Sequence, residues 1–360
     1  MLGLLKEECF TEKWINAKSR ELSGNPDLIE KTLHAFALLG YLVQLESNFL
    51  FKGGTSLLLH VPKIKRLSID IDIVYGDDLD EFTKKLSTIP GNSPFTRFEE
   101  DERGDRGLPN RKHFKFFYPS NISRNEESIL LDIVLENPAF MPYVEEKQIK
   151  GAFIDIKTDL TVKIPTVEGL LGDKLTAFAP HTIGVPFETT AGGSMKMQVV
   201  KQLFDVGELF NIASNFDEIK SSYAIFFEKE NSYRDNIYSN AQALDDTIEI
   251  SYLLCLAKFR GYQPKEDTNN IAEGLKSITS HLLEEQFRID VEAKIAASKA
   301  FFLTSSIKVD KHISLAETRY ISTKIPQIKN VLLPAPYNWA NKLKAVLPEA
   351  FYYIWQGVKE

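Results

Sequence analysis

Cysteine is nearly missing: the 360 residues hold two, Cys9 and Cys255, far apart in the chain. Two isolated thiols make neither a disulfide framework nor a thiolate zinc site. Long apolar runs are missing as well, since none approaches the roughly 18–20 residues of a membrane span. The opening Met-Leu-Gly-Leu-Leu-Lys-Glu-Glu turns acidic too soon for a secretory leader, so the expected address is cytoplasmic, with no membrane partner. There is no internal repeat and no low-complexity tract. Positive charge is in deficit: 43 Lys and Arg against 50 Asp and Glu leave a net charge of −7. Such a chain cannot coat nucleic acid by bulk charge and would need local basic clusters. Two exist, Lys63, Lys65 and Arg66, and then Arg103, Arg106, Arg111, Lys112 and Lys115. Each also reads as an ordinary solvated face.

What is present is core-forming material. Hydrophobic residues make up 43% of the chain, with 24 Phe and 13 Tyr, so a sizeable core is available and disorder is a poor reading. The length suits two domains of about 100–200 residues each. Asn25-Pro-Asp27 reads as a helix entry, with an apolar stripe running on to Leu45. Strands are expected at 49–51, 67–75, 113–118 and 129–136, and a further pair at about 148–156 and 160–164. A helix is expected at 79–86, and 90–110 is rich in Gly, Pro and Asn. From Val167 the pattern is helical almost throughout, including 167–179, 195–212 and a long stretch at 271–302. Strands first and helices later predict an α/β (α+β) unit followed by a helical domain, with residues 1–213 and 214–360 as the division.

The run Arg66-Leu-Ser-Ile-Asp-Ile-Asp-Ile-Val74 carries the first chemical signal. In a strand successive side chains alternate faces, so Ser68, Asp70 and Asp72 share one face and the isoleucines the other. Two like charges on a strand otherwise made for burial need a positive partner. Mg²⁺ (or Mn²⁺) held by carboxylates and substrate phosphates is one answer; an acidic outer face on a half-exposed strand is the other. Ahead of it, Gly53-Gly54-Thr55-Ser56 ends a strand and opens a helix, where free N–H groups and hydroxyls suit phosphate. Gly54 precedes Asp70 by sixteen residues, room for one short helix and a return strand. Asp132 is the one acid inside Ile129-Leu-Leu-Asp-Ile-Val-Leu135. It is either a third carboxylate of that metal site or an edge-strand or buried polar residue.

Together Lys52-Gly-Gly-Thr-Ser-Leu57 and Arg66-Leu-Ser-Ile-Asp-Ile-Asp72 resemble the signature of the AbiEii/AbiGii-type nucleotidyltransferase toxins, polymerase-β-like enzymes similar also to the mycobacterial MenT toxins. The resemblance spans about 49–210. It places the family's helical Lys at Lys174, in Val167-Glu-Gly-Leu-Leu-Gly-Asp-Lys174, and its later Asp at Asp205, in Lys201-Gln-Leu-Phe-Asp205. One departure is that relatives often carry Arg-Asp ahead of the late element, where this chain has Lys201-Gln. The resemblance implies a nucleotidyltransferase core with a mixed sheet and nucleotidyl transfer from a nucleoside triphosphate with Mg²⁺. It also implies a toxin–antitoxin setting with a cognate antitoxin, and for some members a tRNA 3′ end as acceptor. Asp70, Asp72 and Asp132 would then hold metal, and Gly53, Gly54, Thr55, Ser56, Ser68 and Lys174 the nucleotide. Asp70, Asp72, Asp132, Lys174 and Asp205 would be the catalytic set, while Lys63, Lys65, Arg66, Arg111, Lys112 and Lys115 would meet RNA. Helix geometry bears on Lys174 independently: it falls on or beside the apolar face marked by Leu170, Leu171, Leu175 and Phe178, so it must snorkel or find an anion. A triphosphate or a structural carboxylate would serve. Transfer to a protein or small molecule, and a catalytically inactive binding module, are the competing readings.

Overall fold

Two helices lead the chain, α1 (Glu12–Leu22) and α2 (Pro26–Val43), and only the second has a clear signal in the sequence. Asn25 caps α2 as expected: its side chain accepts from the amides of Asp27 and Leu28 at 2.8 and 3.4 Å. The computed structural model describes residues 2–91, 93–101, 109–283 and 287–359, so Arg103 and Arg106 lie outside the described residues. Packing divides the chain into two units, Met1–Thr166 with Ser280–Glu285, and Val167–Thr279 with Gln286–Glu360.

The first unit is built on a five-stranded mixed sheet. Its strands are β1 (Phe49–Lys52), β2 (Ile71–Tyr75), β3 (Arg97–Glu100), β4 (Arg111–Pro119) and β5 (Glu126–Leu135), in spatial order β1-β2-β5-β4-β3. Only β2 and β5 run parallel in this sheet. The short helix α3 (Gly53–Leu57) joins β1 to β2, and α4 (Leu79–Leu86) follows β2. A separate two-stranded ribbon is formed by β6 (Val144–Gln148) and β7 (Thr161–Pro165). Along β4 and β5 burial alternates: Phe114, Phe116, Tyr118, Ile129, Leu131 and Ile133 are buried, whereas His113, Lys115, Leu130 and Asp132 are half-exposed. The buried set joins Leu33, Phe36, Leu39 and Leu42 of α2 in one core, so α2 covers one face of the sheet. His34 lies in that core, stacked on Tyr118 at 3.5 Å. Burial pushes its imidazole down to about 4, against the opposing effect of its bond to the Glu30 carbonyl.

Four element expectations change, and one is the strand placed at about 148–156, which is β6 at Val144–Gln148 instead. The strand read as 67–75 begins only at Ile71, because the chain before it pairs elsewhere: Leu67 N–H donates to the His281 carbonyl at 2.8 Å, and Leu283 N–H to that of Lys65 at 2.9 Å. That same return segment interrupts the helix expected at 271–302. It is two helices, α9 (Glu266–Ile278) and α10 (Glu292–Lys308). The strand β3 lies within the Gly/Pro/Asn-rich passage where none was expected.

The second unit is helical, with α5 (Val167–Ala177), α6 (Lys196–Ile212), α7 (Phe216–Ser232) and α8 (Asn240–Leu256) preceding α9 and α10, and a last long helix at Pro348–Val358. Here α5 packs on α6 and α7, α6 on α9 and α10, and α10 on α8 and the last helix. The division expected between 213 and 214 falls inside this unit, so Lys174 and Asp205 sit on helices of the helical body. Among the described residues no helix is long and apolar enough to cross a membrane.

Candidate active site

Pairing across the first unit's sheet aligns Lys52 with Asp72, Asp72 with Asp132, and Asp132 with His113, one row over four strands. Register partners share a face, and this row has the opposite parity to the buried set under α2. Adjacent strands lie about 4.8 Å apart, so the carboxylates of Asp72 and Asp132 are close enough to repel. A hydrogen bond joins His113 Nδ1 to Asp132 Oδ1. A carboxylate only accepts, so the hydrogen is on Nδ1.

The glycine turn lies against this row. Gly53 has φ +77°, and a methyl group there would lie 2.1 Å from Asp72 Oδ2 and 2.7 Å from its Cγ. The carboxylate of Asp72 therefore rests on the bare Cα of Gly53, and only glycine permits both the backbone conformation and the approach. A methyl on Gly54 would lie 3.0 Å from Ser68 Oγ and 3.0 Å from an Arg66 guanidinium nitrogen. Ser68 and Asp70 lie in the segment leading into β2. Thr32 on α2 donates to the Ser68 carbonyl at 3.2 Å, and Thr55 to the Asp70 carbonyl at 2.5 Å. Gly53, Gly54, Ser68, Asp70 and Asp72 are thus gathered in one place, with Asp132 beside Asp72.

Two hydroxyls expected at a phosphate cradle point inward instead. Thr55 and Ser56 are fully buried, Thr55 bonding the Asp70 carbonyl and Ser56 the Gly53 carbonyl at 2.8 Å. They hold the turn and the carboxylate segment together. Arg66, expected on an RNA-facing surface, is 4% exposed, with a guanidinium nitrogen donating to the Leu67 carbonyl at 3.2 Å. The other basic cluster is largely neutralised by neighbouring acids: Lys112 pairs with Glu100, and Lys115 with Asp101 at 3.1 Å. Lys63 and Arg111 are exposed and Lys65 is half-buried.

In the helical unit, Lys174 of α5 meets Asp205 of α6, Nζ to Oδ2 at 3.1 Å, and donates to Gln202 Oε1 at 3.0 Å. Their side chains are 7% and 1% exposed. The anion demanded by the position of Lys174 is therefore present in the chain itself. His113 and Gln202 carried no signal in the sequence, since neither a strand register nor a helix–helix contact is visible there.

Among the described residues no three His, Cys, Asp or Glu side chains converge as a ready metal cage. The donors that do gather are carboxylate oxygens, the hard ligands Mg²⁺ prefers, and one or two of them suffice when phosphates and water complete the shell.

Three solved structures share some of this shape. One from H. pylori described as a nucleotidyltransferase has 12% identity and TM-score 0.44, covering 79% of this chain and 97% of its own. A second Helicobacter pylori protein has 12% identity and TM-score 0.38, covering 84% and 99%. A nucleotidyltransferase-like antigenic protein from Paracoccidioides brasiliensis has 13% identity and TM-score 0.36, covering 57% and 91%. Likeness at this level decides nothing about function. No curated protein matches the chain. The model of the family described as nucleotidyl transferase AbiEii toxin, type IV toxin–antitoxin system, matches residues 37–304, a span that holds the glycine turn, Asp70, Asp72, Asp132, Lys174 and Asp205. The chain belongs to the AbiEii family of nucleotidyl transferase toxins.

Proposed function

We propose that this nucleotidyltransferase moves a nucleoside monophosphate from a triphosphate to the 3′-hydroxyl of an RNA, most simply a tRNA 3′ end, and that it needs Mg²⁺ or Mn²⁺ to do so. The observation that carries the reading is the Asp72 carboxylate resting on Gly53, with Asp70 tied to the same turn by Thr55. Asp70 and Asp72 would hold the metal, which when bound neutralises triphosphate charge and polarises the α-phosphate. The backbone of the glycine turn and Ser68 bind phosphate oxygens. The acceptor oxygen attacks the α-phosphorus, a new P–O bond forms, the bond to the β-phosphate oxygen breaks, and pyrophosphate leaves with the hydroxyl proton passing to a base. Asp132 orients that hydroxyl beside Asp72, a role for which its register position suits it. Asp205 and Gln202 bind Lys174 Nζ within the helical unit. The family's toxin–antitoxin description supports a cognate antitoxin as partner.

The acceptor has a second reading. Burial of Arg66 and pairing of Lys112 and Lys115 remove half of the expected RNA contacts, which favours a protein or small-molecule acceptor. Labelling separates them. The protein is incubated with total RNA, cellular protein and each of four α-labelled triphosphates in turn, with Mg²⁺ or with EDTA. Label at RNA 3′ ends in Mg²⁺ alone, weakening steeply as salt rises, is the expected result. Label in a protein band and in no RNA would overturn the RNA acceptor and leave nucleotidyl transfer in place.

A further inference from the structure

His113 lies at the end of the Lys52–Asp72–Asp132 row, on the antiparallel neighbour of the strand that carries Asp132. Its Nδ1 bonds Asp132 Oδ1, with the two side chains 17% and 25% exposed. The side chain sits on the half-exposed face, so burial alone gives no reason for an imidazole here, and the neighbouring positions of that face, Lys115 and Phe117, have no contact of this kind with β5. A carboxylate beside another carboxylate turns away from it unless something fixes its rotation. A single donor on the far side does so, by engaging one oxygen and leaving the other toward the neighbour.

We propose that His113 is a positioning residue for transfer: by donating from Nδ1 it commits Oδ1 of Asp132, so that Oδ2 is the oxygen Asp132 presents beside Asp72 to the acceptor hydroxyl. This rests on Asp132 belonging to the active centre, as proposed above. A partner that orients a functional group through a hydrogen bond is commonly worth about 10–100-fold in activity.

The test exploits the shape of two amides. The amide nitrogen of Asn reaches the position of imidazole Nδ1, and that of Gln the position of Nε2. His113→Asn, His113→Gln, His113→Leu and Asp132→Asn are compared for kcat and triphosphate KM, with thermal melting as the check on folding. The expected result is a kcat about 10–100-fold lower in His113→Leu and His113→Gln, with triphosphate KM unchanged, and recovery of most of that loss in His113→Asn. If His113→Leu fails to fold, the contrast between Asn and Gln carries the same information. Equal kcat in the Asn and Gln variants would overturn the assignment, as would parental kcat in the Gln variant while Asp132→Asn is dead. Parental kcat in Asp132→Asn would instead remove Asp132 from the centre, and the role of His113 with it.

Discussion

The two places where the chain gathers charge are built in opposite ways. On the sheet, Asp72 and Asp132 stand side by side on a half-exposed face, with a glycine left bare beneath one carboxylate. In the helical unit, Lys174 and Asp205 form a buried pair whose remaining hydrogen bonding is met in part by Gln202. The first arrangement brings two carboxylates onto neighbouring strands beside a glycine turn. The second joins a cation and an anion that the chain itself supplies. Adjacent acids beside a bare glycine fit the chemistry proposed for the sheet, and the closed pair ties α5 to α6.

The largest expected effect comes from opening the closed pair. Asp205→Ala strands a buried ammonium and should cost about 3–5 kcal/mol, read by urea unfolding, whereas replacing both partners (Lys174→Met with Asp205→Leu) should recover most of that. If Asp205→Ala unfolds at the parental urea concentration, the pair is not closed in solution and the contrast fails. A smaller effect concerns the closed polar group on the sheet's other face. The imidazole of His34 titrates near 4 when folded and near 6.5 when unfolded. A base whose folded value is depressed binds its proton more readily unfolded, so stability falls as pH drops from about 6.5 toward 4, by on the order of 3 kcal/mol. His34→Phe, which keeps a ring on Tyr118, should remove that part of the slope between unfolding curves at pH 7 and pH 5; an unchanged slope would place the proton elsewhere. Gly53→Ala comes next. Positive φ and the approach to Asp72 together should cost about 1–3 kcal/mol, and the displaced carboxylate should lower kcat more than triphosphate KM. Full activity in that variant would detach the turn from the site.

The parts of this design differ in how far residues alone reveal them. Alternation in Phe114–Tyr118 and Ile129–Ile133 exposes β4 and β5 directly, and the Asn25-Pro26 entry exposes α2. The edge strand β3 is hidden because Arg97-Phe-Glu-Glu100 is polar and one face packs little. The start of β2 and the break between α9 and α10 are hidden together, since both follow from one long-range pairing of 65–67 with 281–283. Asp70, Asp72 and the glycine turn are legible as residue types at a spacing. Their contact through Gly53 is not, because it depends on a backbone angle and a strand register. Charge misleads at Arg66 and at Lys112 and Lys115: a basic residue reads as surface, and burial or an acid brought in by another strand cannot be read from the residue itself.

The smallest expected effect on stability is also the sharpest on function. Asp72→Asn keeps the shape of the side chain over Gly53 and removes only its charge, so the folded protein should melt close to its parent. The decisive measurement is pyrophosphate release and acceptor labelling by folded Asp72→Asn protein with triphosphate, Mg²⁺ and total RNA. The carboxylate row requires that transfer be undetectable; transfer near the parental rate would contradict it.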